Sequence, residues 1–150
     1  MKSKKFKWFL VIAWLVIIFI FSSQPGDVSD KNSKFVMYIF NLMGLDLNSF
    51  FGDLANFIVR KGAHFTEYFI LYMLLYNALR ENFSFKKALL FSIIGVFLYA
   101  SSDEYHQSFV PGRGPSFRDV LVDTSGGMLG LVTVYIKVLY SKNVIQKEKN

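Results

Sequence analysis

The chain has 150 residues, 53% hydrophobic and 19% charged, with Phe at 17 positions, a formal charge of +6 and no cysteine. That length holds one domain, and the missing cysteines exclude a disulfide framework and any Cys-ligated metal. The 17 Lys and Arg form no stripe interleaved with aromatics, which argues against a nucleic-acid partner; they sit at the ends of apolar runs, as membrane topology requires.

Four apolar runs follow in chain order, and they predict transmembrane helices over about 8–24, 62–80, 88–106 and 119–140. The first has a basic start (Lys2, Lys4, Lys5, Lys7) and reads either as a retained helix or as a cleaved signal. The absence of an Ala-x-Ala site and the length of the run favour the retained helix. Between the first two runs, Lys34 to Leu45 is apolar enough to predict a helix lying at the outer interface rather than a loop. The third run, Ala88 to Ser102, is short for a bilayer and must borrow the polar residues after it or sit where the bilayer is thin. The short turn near Glu81 to Phe85 makes the second and third helices antiparallel neighbours. Residues 141–150 read as a solvated basic tail.

Charge placement predicts orientation. Lys2, Lys4, Lys5, Lys7, Arg80, Lys86, Lys87, Lys137, Lys142, Lys147 and Lys149 fall on one side. Only Lys31, Lys34, Arg60, Lys61, Arg113 and Arg118 fall on the other. The positive-inside rule then gives an all-α four-helix membrane bundle with both termini in the cytoplasm.

Ionisable residues beside apolar spans are costly, so their position carries information. Lys61, His64, Glu67 and Tyr68 open the second predicted helix, and Asp103, Glu104 and His106 close the third. Asp119 and Asp123 open the fourth, and all lie at the predicted outer end. At about 100° per residue, Lys61, His64 and Glu67 fall within an arc of about 120°. Asp119, Asp123, Gly126 and Gly130 fall within about 60°, which gives an acidic and then bare stripe where another helix can approach. Tyr99, Asp103 and His106 share a face, which turns Glu104 elsewhere, toward solvent. Two prolines and two glycines make Phe109 to Pro115 a tight turn that holds Arg113 over the mouth of the bundle. Arg60 and Lys34 are expected to snorkel to head groups.

At these residues the chain resembles the VanZ-like family of bacterial membrane proteins. The matching elements are Ser22-Ser23-Gln24-Pro25 and Lys61-x-x-His64-Phe65-x-Glu67-Tyr68. They continue with Ser102-Asp103-Glu104-x-His106-Gln107-x-Phe109-x-Pro111-Gly112-Arg113 and Asp119-Val120-x-x-Asp123-x-x-Gly126. The resemblance implies a multi-pass protein of the bacterial cytoplasmic membrane and a link to glycopeptide, specifically teicoplanin, resistance.

Three functions compete. In the first, Lys61, Arg113 and Arg118, with Tyr68, Glu104, Gln107, Asp119 and Asp123, bind a membrane lipid, a lipid-linked cell-wall precursor or a lipoglycopeptide. In the second, His64 or His106, oriented by Glu67 or Asp103, is the general base of a membrane hydrolase or transferase acting on a lipid head group. In the third, the polar cluster only locks a scaffold. No cofactor is predicted. The carboxylates and histidines are ligand types that suit a metal, but there is no His-Glu-x-x-His motif, and Lys61 and Arg113 would repel a cation, so no metal site is predicted. The oligomeric state is not readable from the sequence.

Overall fold

The computed structural model describes residues 3–147, with side chains to Ser141. All regular structure among them is helical: α1 (Lys4–Ser22), α2 (Gly26–Leu42), α3 (Leu47–Phe51), a 3-10 turn (Gly52–Leu54), α4 (Ala55–Leu79), α5 (Phe85–Gln107) and α6 (Phe117–Lys147). α1, α5 and α6 are each long and apolar enough to cross a membrane. A fourth span is available if α2 and the segment Leu47–Leu79, which meet at 111°, count as one.

The radial distribution of polarity identifies the solvent. Large apolar side chains such as Phe9, Ile12, Leu98 and Ile136 point outward and are more than half exposed. Ser22, Ser92, Asp103, Glu104, Gln107 and Asp123 are buried inside. A water-soluble domain has the reverse arrangement, whereas a bundle in lipid gains nothing by hiding leucine from its surroundings. The apolar part of the core is Ile18 of α1, Tyr68, Leu71 and Tyr72 of α4, Val96 and Ala100 of α5, and Val120 and Val134 of α6.

Local chemistry sets the helix ends. Gln24 precedes Pro25, a position that disfavours helical backbone, so α1 stops at Ser22 and Pro25 caps α2. α2 begins well before the interfacial helix expected at Lys34, because Pro25 provides a start that the polar first turn hides. α5 takes in the polar residues after Ser102 and reaches 23 residues, about 34 Å, which removes the expected shortage of length. α4 starts at Ala55 rather than near residue 62, so Lys61, His64, Glu67 and Tyr68 do not open their helix but lie within it. α6 continues as helix through residues 141–147, into the segment read as a basic tail; residues 148–150 lie outside the described residues.

α4 packs most extensively against α6. A Cβ on Gly126 would collide with the Phe65 carbonyl, and one on Gly130 would lie 2.7 Å from the Tyr72 ring. The glycine stripe therefore faces α4 within the same chain, with the backbones close enough for Asp119 and Asp123 to reach α4 side chains. At the other end, Lys4 bonds Asn82 and Lys7 pairs with Glu81, fastening the start of α1 to the α4–α5 turn. Lys7 holds the Glu81 carboxyl below its ordinary pKa.

Candidate functional site

The polar residues converge in one layer below the end of the bundle that carries the α1–α2 junction and the α5–α6 loop. His64 lies about 14 Å along α4 from its start, Asp123 about 9 Å along α6 from its start, and Asp103 about 6 Å before the end of α5, at 1.5 Å per residue. Three helices thus contribute to one depth.

His64, Asp103 and Asp123 form the centre, with one potential ligand atom from each lying within 4.8 Å of the others. His64 Nδ1 is 3.6 Å from Asp123 Oδ1, beyond hydrogen-bond reach. Asp123 is 1% exposed, and neither of its carboxylate oxygens has a hydrogen-bond partner. Asp103 is better provided: Gln107 Nε2 donates to its Oδ2 at 3.2 Å and to Ser22 Oγ at 3.0 Å. Tyr68 is fully buried among these groups.

Lys61 does not stand free to hold an anion. Its Nζ is 2.5 Å from Asp119 Oδ2, both side chains being about four-fifths buried. Glu104 does not face solvent as expected; it is 5% exposed, and its Oε2 accepts the Ser116 backbone N–H at 2.9 Å. The reason is that α5 is enclosed on two faces at this level. Asp103 meets the α4–α6 seam, and Glu104, one residue further round, meets the loop that leads into α6. His106 turns to α1, stacking on Phe19 with ring centroids 4.6 Å apart and hydrogen-bonding Ser23 Oγ at 3.0 Å. Arg118 is exposed at the start of α6.

Arg113 reaches back to the end of α1. Its Nε donates to the Gln24 carbonyl at 3.1 Å and an Nη to the Phe21 carbonyl at 3.5 Å, where the helix carries its partial negative charge. Partial burial, reinforced by the nearby Arg60 charge, lowers the pKa of the Arg113 guanidinium. Gly112, at φ 72°, makes this turn, and the Pro111 carbonyl accepts the Gly26 N–H at 3.1 Å. The turn therefore seats directly on the start of α2.

Beside this layer, α1, α2 and α4 border an open cavity of about 810 Å³. Trp14, Phe21, Phe35, Phe40 and Ile70 give it apolar walls, and Gln24, Asn32, Arg60, His64, Glu67 and Arg113 give it polar ones. Trp14 is held by its indole N–H, which donates to the Glu67 carbonyl at 2.9 Å. Arg60 was expected to snorkel. Instead it pairs with Asp30 at 3.1 Å, and Asn56 donates to the same carboxylate at 3.3 Å, tying α2 to α4. Asp30 and Asn56 escaped the sequence reading because each looks like an ordinary loop residue; only their closeness to Arg60 in the fold makes the three a set. Gln24 and Asn32 form a similar pair at 2.8 Å.

Neither curated proteins nor solved structures gave a match to the chain. A family model described as VanZ/LLP1 matches residues 6–139, from the first turn of α1 into α6 and across every residue of the site, and the chain belongs to that family.

Proposed function

We propose that the protein binds a lipid-linked or lipid-tailed cell-envelope molecule at the outer face of the cytoplasmic membrane, with both termini inside. The observation that carries this reading is the cavity between α1, α2 and α4. Its volume of about 810 Å³ falls within the range of about 300–1,000 Å³ common for ligand pockets. Its composition is amphiphilic. The aromatic walls suit an acyl chain, and Arg113, whose guanidinium hydrogen-bonds backbone carbonyls rather than a carboxylate, suits a phosphate or carboxylate on the head group, whereas Arg60 is already paired with Asp30. Lys61, neutralised by Asp119, drops out of the anion-binding set.

The family's link to teicoplanin makes a lipid-tailed glycopeptide the first ligand to test. Gly62 lines the cavity, and a Cβ there meets nothing within 4 Å, so Gly62→Phe fills the space without disturbing the bundle. Native mass spectrometry of the purified protein should find a bound lipid or added teicoplanin in the wild type and a loss of at least tenfold in Gly62→Phe. Protection of cells against teicoplanin should fall in parallel. Equal retention in both proteins would remove the cavity from the account.

A second reading, hydrolysis or transfer at a lipid head group, draws on His64 facing Asp123 at 3.6 Å while also lining the cavity. His106, engaged with Ser23 and Phe19, is the weaker candidate base. A folded His64→Gln variant with undiminished cellular activity would end that reading.

A further inference from the structure

The buried centre of the site has a feature that neither lipid binding nor helix packing accounts for. Asp123 is 1% exposed with both carboxylate oxygens unpartnered, and His64 Nδ1 is also buried without a hydrogen bond. An ionised carboxylate in that position is severely penalised unless a cation compensates it. The charges that bear most strongly on Asp123 come from further carboxylates: Asp103, Glu104, Asp119 and Glu67. The cations nearby are committed elsewhere. Lys61 sits on Asp119 at 2.5 Å, Arg113 on the carbonyls that end α1, and Arg60 on Asp30. Lys61 is therefore neutralised by Asp119 and Arg60 by Asp30, while Arg113, bonded to neutral carbonyls, keeps its charge and is shared among Asp103, Glu104 and the carboxylates around them.

We infer that His64, Asp103 and Asp123 form a divalent transition-metal site, of the kind that zinc occupies, with one imidazole and two carboxylate ligands. The donor set is right for the class: an imidazole nitrogen and carboxylate oxygens suit zinc and its first-row neighbours. The spacing is close to right. The three ligand atoms lie within 4.8 Å of one another, against about 3.3–3.5 Å between ligands of a tetrahedral ion bound at about 2.0–2.1 Å. Asp123, whose carboxylate oxygens have no hydrogen-bond partner, is the ligand that would rotate to close the difference. Asp103 is already oriented by Gln107, which Ser22 in turn holds, the outer support that metal carboxylates usually have. Three protein ligands leave a coordination position over, and His64 also lines the cavity, so the ion would sit at the cavity's wall.

Zinc binding to the full-length protein, stripped with chelator and purified in detergent, tests this without any lipid. Titration with Zn²⁺ and elemental analysis should give about one ion per chain. Asp123→Asn and His64→Gln should each weaken binding at least tenfold, and His106→Gln should leave it unchanged. A wild type that retains no stoichiometric zinc, or variants at His64 and Asp123 that bind as the wild type does, would overturn the inference. Where a variant does not fold, zinc-edge X-ray absorption of the loaded wild type decides. One imidazole nitrogen with carboxylate oxygens supports the site, and a shell without histidine overturns it.

Discussion

Two glycines on facing helices have opposite roles at the residue scale. Gly62 lies in the interior of α4, where a Cβ meets open space; Gly126 lies on α6, where a Cβ would meet the Phe65 backbone. Alanine restricts the unfolded chain and favours helix, so Gly62→Ala should raise stability by about 0.5–1 kcal/mol. Gly126→Ala must push α4 and α6 apart, and should lower stability by about 1–3 kcal/mol. Thermal unfolding in detergent reads both, and equal shifts would show that the close α4–α6 approach is not a stabilising contact. The Lys61–Asp119 pair is a second case. Its members are mostly buried at 2.5 Å, so a double-mutant cycle with alanine at both positions should give a coupling of about 1–3 kcal/mol. A coupling near zero would return Lys61 to the set of free cations available to a ligand.

At the scale of elements, the α5–α6 turn acts as a clasp. The Pro111 carbonyl accepts the Gly26 N–H, a Cβ on Gly26 would strike the Gly112 carbonyl, and Arg113 then reaches the carbonyls of Phe21 and Gln24. α1, α2 and the turn thus meet at one point beside the cavity. Gly26→Ala should part the turn from α2 and reduce ligand retention several-fold in native mass spectrometry, with α4 and α6 left packed; unchanged retention would mean that the clasp does not shape the cavity. This junction also shows where sequence reading stops. The long apolar runs at α1, α5 and α6 announce themselves, and so do the shared faces of Lys61 and His64 on α4 and of Asp119 and Asp123 on α6, because helical periodicity is a local property. Glu104 was misread because one face of α5 was taken to be wet, and only the fold shows a loop covering it. Asp30 with Arg60, thirty residues apart, and Gln107 with Ser22 are long-range partners on which periodicity is silent. The early start of α4 is hidden because Asn56 and Arg60 look like loop residues until α2 lies against them.

For the whole molecule, the two ends of the bundle differ in charge. Lys4, Lys7, Arg80, Lys86 and Lys87 gather where α1 begins and α4 turns into α5, while the site and the cavity lie at the opposite end. The positive-inside rule assigns the first end to the cytoplasm and the site to the outside. The 111° bend between α2 and the segment Leu47–Leu79 is compatible with this orientation, since the bent pair counts as a single crossing and leaves the later helices uninverted. The chain has no cysteine, so single reporters can be introduced without background. Ser84, exposed and with no side-chain capping bond, reports on the inner turn; Gly114, with open space at its Cβ, reports on the outer loop. In intact cells a membrane-impermeant maleimide should label Gly114→Cys at once and Ser84→Cys only after permeabilisation. Labelling of both from outside would mean that the number of crossings between them is even, and would break the bundle as described. Reversed labelling would keep the bundle and move the cavity to the cytoplasmic face, where a cell-surface ligand could not reach it.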